Sequence, residues 1–312
     1  MTRIYIVRHA EAEGNLYRRI HGQYDSLVTP LGYRQIEALS RRFQDIPVDA
    51  VYSSDLYRTR MTAKAIYAPK GLPLHLEPGL REIAMGRWED QTWGGAARRD
   101  PERMNQFSRS DPDYDSPGGE TFQAVQKRVV DTFRRLIRTH GGQTIVCVSH
   151  GVAIRTAMAA FYGYSLAQLD RILPSDNTGV SCVEVENGQP HVRVYADGSH
   201  LGEELSTLAS RPGGGNRRRL RRWKTRMSGT APGTRWESGR SIIAAVRRHG
   251  SASTARISLS PENSSMRRRG QPANATLPPS WSPWWATRSP DCSRWIWSGI
   301  RRNRRGISPF TI

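Results

Sequence analysis

Three short stretches of this chain set residues suited to phosphate chemistry at the end of an apolar run. Arg8-His9 follows the run at 4–7, Ser149-His150-Gly151 follows 144–148, and Ser53-Ser54-Asp55-Leu56-Tyr57-Arg58 follows 48–52. Apolar runs of this length that break off into polar residues read as buried parallel strands. Ligands of an open α/β sheet collect beyond the carboxyl ends of its strands. If the first strand and the 144–148 strand are neighbours, His9 and His150 meet at one sheet edge, and Arg8 and Arg58 reach the same rim. Two guanidinium forks and two imidazoles converging on a point make an oxyanion site, because arginine matches phosphate oxygens bidentately. The helix opening near Ser149 would add its N-terminal N–H groups. A single histidine after a strand is ordinarily structural; four such groups at strand ends are hard to assign to packing.

The elements that must position these residues are legible in outline. Thr29 caps a helix in which Pro30 suits the first turn and Leu31, Ile36, Leu39 and Phe43 share a face. Ser53-Ser54-Asp55 caps a helix over about 56–67, and 74–76 forms a third strand. Residues 78–118, rich in Gly, Pro, Asp and Arg, read as a long irregular excursion with one short helix; loops of this length usually serve a function. An amphipathic helix starts at Gly119-Glu120 and runs to about Thr139, and another covers 152–162. Strands at 180–185 and 191–195, split by Asn187-Gly188, form an edge hairpin. Strand–helix alternation with a terminal hairpin implies an α/β three-layer sandwich, a mostly parallel sheet with helices on both faces.

Charge divides the chain in two. Of 47 Lys and Arg and 28 Asp and Glu among 312 residues, 22 basic and 3 acidic fall in 211–312, which therefore carries the whole net charge of +19. Residues 1–210 hold the remaining 25 of each sign, so the basic balance says nothing about the partners of this part. The reading is a domain over 1–205 and an Arg/Ser/Pro/Trp-rich tail over 211–312 that lacks the aliphatic residues to offset its chain entropy. Two accounts of the tail stand: a cationic, aromatic-interleaved module for nucleic acid, or the out-of-frame translation of GC-rich DNA, which yields this composition. The start is too short an apolar run for a signal peptide, no stretch approaches a bilayer span, and three cysteines without CxxC spacing argue against a disulfide framework or zinc site. A cytoplasmic protein without a membrane partner is the expectation.

Six separated blocks occur in one order: Arg8-His9-Ala10-Glu11 with Asn15; His21-Gly22-Gln23-Tyr24-Asp25 before Leu27-Val28-Thr29; Ser53 to Thr59; Leu80-Arg81-Glu82-Ile83 with Gly86 and Trp88-Glu89; Pro117-Gly118-Gly119-Glu120; and Ser149-His150-Gly151. Over about residues 1–200 the chain resembles the histidine phosphatase superfamily, in its phosphoglycerate-mutase-like branch. The resemblance implies that His9 attacks phosphorus to give a phosphohistidine. Arg8, Arg58 and His150 would hold the equatorial oxygens, and Glu82 would act as general acid and then base. Asn15, Gly22, Gln23 and Gly151 would line the substrate, a small phosphorylated metabolite, with no metal or other cofactor. Blander readings stand beside these: Glu82 as an ion-pair partner of Arg81 or Arg87, Asn15 as a turn residue, His21 and His75 as surface or packing histidines, Arg60 as solvated charge. Ala10 stands where the family commonly has Gly, at a cost of about 1 kcal/mol if the backbone there needs a positive φ.

The resemblance leaves three activities open: a phosphatase of small phosphomonoesters, a 2,3-bisphosphoglycerate-dependent phosphoglycerate mutase, and an alpha-ribazole phosphatase acting on a cobalamin precursor. Mutase-like relatives carry Glu-Arg-x-Tyr-Gly around the acid, whereas Arg81-Glu82-Ile83-Ala84-Met85-Gly86-Arg87-Trp88 resembles the phosphatase side. The 78–118 excursion would wall the substrate beyond its phosphate, with Arg87, Arg98, Arg99 and Arg103 offering positive charge and Trp88 and Trp93 an apolar surface.

Overall fold

A computed structural model of the chain describes residues 1–209; the expected tail over 211–312 lies outside the described residues. Six strands form one sheet in the order β3-β2-β4-β1-β5-β6. They are β1 (Thr2–Arg8), β2 (Ala50–Ser53), β3 (Leu74–Leu76), β4 (Thr144–Ser149), β5 (Val180–Glu186) and β6 (Gln189–Asp197). The first four run parallel, and β5 pairs antiparallel to both β1 and β6. Asn187 and Gly188 close the β5–β6 hairpin with φ of +50° and +75°, the left-handed pair that a two-residue turn between twisted strands requires.

The central strands are buried on both faces, which is why they read as unbroken apolar runs. Alternate residues point to opposite sides. Ile4, Ile6, Ile145 and Cys147 face the layer built from α6 (Phe122–Thr139) and α7 (Gly151–Phe161). A single-turn helix α1 (Glu13–Leu16) follows β1, and Val7, Val146 and Val148 face the layer built from α2 (Pro30–Phe43) and α3 (Tyr57–Tyr67). The α/β sandwich with helices on both faces is therefore the architecture found. On α6, Phe122, Val125, Val129, Phe133 and Leu136 are buried in a single stripe; each large side chain so buried contributes about 1.5–3 kcal/mol.

Four details depart from the sequence reading. The α2 cap is as expected, with Thr29 Oγ1 accepting from Gly32 N, but α3 starts at Tyr57 and its first N–H donates to Asp25 Oδ1 at 2.7 Å, a partner 32 residues away. Of the expected local caps, only Ser54 Oγ takes part, accepting from Leu56 N at 3.4 Å. The α6 cap is Thr121 rather than Gly119-Glu120. The 78–118 segment is more regular than expected and holds two helices, α4 (Trp93–Arg99) and α5 (Pro101–Arg109), each opened by a side-chain cap, Thr92 and Asp100. Packing also continues past residue 205: Ser206, Thr207 and Leu208 are buried. Among the described residues no helix is long and apolar enough to cross a membrane.

Candidate active site

Sheet order places the chemistry. With β1 and β4 adjacent and Arg8 level with Ser149, His9 and His150 leave neighbouring strands at the same height. His9 N donates to Ser149 O at 2.9 Å, and the two imidazole centroids lie 5.2 Å apart. On the other side of β4, Ser54 N donates to Val148 O at 3.0 Å, which starts the turn into α3 and delivers Arg58. The four groups inferred from strand ends thus meet.

His9 is 2% exposed. Its Nδ1 lies 2.7 Å from Ala10 O; a carbonyl only accepts, so Nδ1 carries the proton and Nε2 is the lone-pair nitrogen. Burial, and then the guanidinium charges of Arg58 and Arg8, hold this imidazole well below its usual range, so it is neutral and nucleophilic at neutral pH. Ala10 costs nothing here: its φ is not among the positive ones, and its N–H donates to Thr62 Oγ1 at 2.8 Å.

Arg58 is the largest fully buried side chain of the domain. Its Nη1 and Nη2 donate to the carbonyls of Tyr24 and Gly22, both at 2.8 Å, while Nε is buried without a partner. Burial pulls its pKa down to about 10. A guanidinium held by two neutral carbonyls, with a third donor left over, is a site prepared for an anion. Arg8 is anchored by Nη1 donating to Ser175 O at 2.5 Å. His150, fully buried, sets Nε2 2.9 Å from Ser54 Oγ and leaves Nδ1 without a partner. Ser54 Oγ also accepts from Leu56 N; when its own proton goes to His150 Nε2, the ring carries its proton on Nδ1.

Glu82 stands on the far side. Its carboxylate accepts from Ile83 N at 3.0 Å and from Val152 N and Ala153 N at 3.1 Å, in the first turn of α7. Two N–H groups of the helix N-terminus expected to serve phosphate therefore go to Glu82, and among the described residues the ion pairs considered for Glu82 are not formed: Arg81 is bridged to Asp55. The Glu82 backbone is fixed from behind by Arg128 of α6, whose guanidinium donates to the carbonyls of Gly79, Arg81 and Glu82 and pairs with Glu120.

Arg8, His9, Asn15, Gly22, Arg58 and Glu82 line one cavity of about 590 Å³. Asn15 Oδ1 accepts from Ala12 N at 3.1 Å and Asn177 Nδ2 at 3.4 Å, which leaves its amide N–H groups for the cavity. Gly22 has φ +49°, and a Cβ there would meet Glu89 Oε1 at 2.2 Å. A Cβ on Gly151 would lie 3.5 Å from Glu82 Oε2 and 3.8 Å from Arg8 Nε, so Gly151 sits between acid and arginine. Gln23 is placed differently from the expectation: it does not line the cavity, and its amide bridges Glu82 O at 3.1 Å and Arg81 Nη1 at 3.3 Å. His21, expected on the surface or in packing, lines the cavity with its ring centroid 5.9 Å from His9, and burial brings its pKa to about 3. His75 stacks on Tyr52 and Arg60 is exposed, as read. The organic wall comes from Ile20, Ile83, Met85, Trp93, Phe107 and Val152, with Arg18 at the same cavity.

Sequence reasoning missed Arg128, Asn177, Thr207 and Arg18. Arg128 lies on a helix face that reads as solvated, and Asn177 and Thr207 sit in stretches with no periodicity to mark them. His21 had a signal, its place in the block that also supplied Gly22.

Several known proteins are similar to this chain. A metal-independent phosphoserine phosphatase of Arabidopsis thaliana is 31% identical over 64% of this chain and 84% of its own length. A probable phosphoglycerate mutase of Escherichia fergusonii is 30% identical over 61% and 87%. The solved structure of Bacillus stearothermophilus YhfR superposes with a TM-score of 0.62 at 32% identity, over 64% of this chain and 99% of that one. The profile of the histidine phosphatase superfamily (branch 1) matches residues 4–198, and the chain belongs to that superfamily.

Proposed function

We propose that the protein hydrolyses small organic phosphomonoesters through a phosphohistidine on His9. One observation carries this reading: a buried neutral imidazole with its Nδ1 proton committed to Ala10 O lies beside Arg58 and His150, whose Nε and Nδ1 are buried without partners. Those donors suit the equatorial oxygens of a transferring phosphoryl group, where charge spreads in the transition state. In the first step the His9 Nε2 lone pair forms the N–P bond as the P–O bond to the leaving group breaks, and protonated Glu82 gives its proton to the departing oxygen. In the second, the Glu82 carboxylate takes a proton from water, the water oxygen bonds to phosphorus, and the N–P bond breaks. Inorganic phosphate, the alcohol and neutral His9 result, and Glu82 is again protonated. Arg8 and Arg58 supply the positive charge, so no step is routed through a divalent ion.

The remainder of the cavity supports a leaving group with an apolar face, from Trp93, Phe107 and Met85, and an anionic group, from Arg18. Similarity to a phosphoserine phosphatase makes phosphoserine the first natural substrate to assay. The test is hydrolysis of p-nitrophenyl phosphate, phosphoserine, 3-phosphoglycerate and alpha-ribazole 5′-phosphate in EDTA, with His9→Ala beside wild type. Hydrolysis by wild type and its loss in His9→Ala are expected. An inactive wild type, or an active His9→Ala, overturns the reading. Similarity to a probable mutase supports the second activity; interconversion of phosphoglycerates that depends on 2,3-bisphosphoglycerate and outruns hydrolysis would replace the first.

A further inference from the structure

The loop before β5 holds both catalytic residues of the Arg8-His9 pair. Asn177 is 1% exposed, and its Nδ2 donates to His9 O at 3.0 Å and to Asn15 Oδ1 at 3.4 Å. The next residue, Thr178, has φ +54°, rare for a β-branched residue, and its N–H donates to the carbonyls of Arg8 and His9 at 3.1 and 3.3 Å. Strain of this kind persists only where the surroundings over-determine it.

What over-determines it comes from beyond residue 198, where the match to the superfamily ends. The buried Asp176 carboxylate accepts from Thr207 N at 3.0 Å, from Asn177 N at 2.9 Å, and from the hydroxyls of Ser206 and Thr207. The Thr207 hydroxyl is shared with Asn177 Oδ1 at 2.9 Å. Thr207 also lines the catalytic cavity. The strap is held on its other flank by Gln35, whose Nε2 donates to Leu205 O and whose Oε1 accepts from Glu11 N, both at 2.8 Å.

We infer that the strap at 205–208 is a working part of the active site, with Thr207 and Asn177 as positioning residues that set His9 and Asn15 against the phosphoryl group. The chain of contacts is short and directional: Thr207 orients the Asn177 amide, and the Asn177 amide fixes the carbonyl of the nucleophile and the oxygen of Asn15. Misplacing a reacting atom by about 1 Å can cost 10²-fold in rate. This inference rests on His9 being the nucleophile.

The experiment compares the full chain with Thr207→Val, Thr207→Ser and Asn177→Ser. Thr207→Val keeps volume and loses the hydroxyl; Thr207→Ser keeps the hydroxyl. In Thr207→Val, kcat on p-nitrophenyl phosphate should fall about 10-fold or more, with KM and the inhibition constant of inorganic phosphate changed less than about threefold, and Thr207→Ser should restore it. Asn177→Ser, which removes the amide and leaves the strap in place, should reproduce the kcat loss. A second readout does not depend on turnover: the His9 Nδ1–H signal, assigned by its disappearance in His9→Ala, should shift in Thr207→Val and return in Thr207→Ser. Unchanged kcat and an unmoved His9 signal in Thr207→Val and Asn177→Ser overturn the inference, as does a loss that Thr207→Ser does not repair. Failure of the phosphatase reading appears separately, as an inactive wild type or an active His9→Ala.

Discussion

Lowering the pH from 7.5 to 5 should destabilise this domain through its histidines, well before its carboxylates titrate. His9 and His150 are held well below the usual imidazole range, His21 is brought to about 3 and His200 to about 4, in each case first by burial. In the unfolded chain these side chains return to about 6.5 and take up protons as the pH falls through that value. The folded state binds none of them until far lower pH. Stability is therefore complete above about 6.5 and declines below it, because the unfolded state binds more protons. At pH 5, about 1.5 units under the unfolded pKa, a histidine kept neutral by the fold contributes at most about 2 kcal/mol of destabilisation, and the four together at most about 8 kcal/mol, less at the part-exposed His200. That is comparable to the whole stability of an ordinary domain, about 5–15 kcal/mol. The lowered carboxylates, Asp55, Glu120 and Glu184, act in another window, since their contribution is lost only as pH falls below about 4.

The assay is guanidinium unfolding of the full chain at pH 7.5, 6.5, 5.5 and 5.0. The midpoint should drop steeply below pH 6.5, with a slope equivalent to several protons taken up on unfolding. His9→Gln and His150→Gln should each remove about a quarter of the pH-dependent loss. A midpoint that is the same at pH 7.5 and 5.5, or a slope untouched by both substitutions, refutes the reasoning. The two variants isolate the active-site pair from every other titrating group.

Further outcomes follow from the same geometry. Glu82→Gln should lower kcat on phosphoserine by about 10²–10⁴-fold and on p-nitrophenyl phosphate by much less, since nitrophenolate leaves without a proton; equal losses on both would remove Glu82 from the acid role. Arg18 lines the cavity and enters no ion pair among the described residues, so Arg18→Ala should reduce kcat/KM for phosphoserine and 3-phosphoglycerate about 3–10-fold relative to p-nitrophenyl phosphate, and an unchanged ratio sinks its part in substrate choice. If the segment 211–312 binds nucleic acid through its net charge of +19, retention on DNA-cellulose should fall steeply with salt and vanish when that segment is deleted; retention that survives deletion assigns binding elsewhere.

The fold and the centre of the site were legible because both depend on order along the chain. Arg8-His9 and Ser149-His150 each close an apolar run, and parallel strands deliver their ends to one edge whatever the loops between them do. The remainder depended on contacts that no local pattern encodes. Asp25 caps α3 from 32 residues away. Gln23, read as touching substrate, turns its amide to the backbone of Glu82, and Arg128, whose spacing reads as a solvated helix face, is the guanidinium that holds the Glu82 segment. The residues just past 205 were unread for a related reason: Ser206, Thr207 and Leu208 have no periodicity, and Ser206 and Thr207 bond one carboxylate, Asp176, that they meet only in the fold.

The placement of α7 explains why a correct inference about a helix N-terminus reached the wrong ligand. His150 is the N-cap of α7, and the N–H groups of Val152 and Ala153 in its first turn go to Glu82. An N-terminus favours negative charge, and two negative groups compete for this one: the phosphoryl oxygens and the carboxylate. In the proposed mechanism the phosphoryl group takes Arg58 Nε and His150 Nδ1, both buried and without other partners, whereas Glu82 has no arginine partner and, besides the helix, only Ile83 N to hold it. Assigning the N–H groups to Glu82 fixes the acid, and His150 fixes the phosphoryl end, on one rigid element. In that mechanism the acid and one phosphoryl-binding group are held by a single turn of helix. A substitution that loosens that turn, at Gly151 or Val152, should therefore disturb both ends of the reaction together, whereas one at Arg58 should disturb only the phosphoryl end.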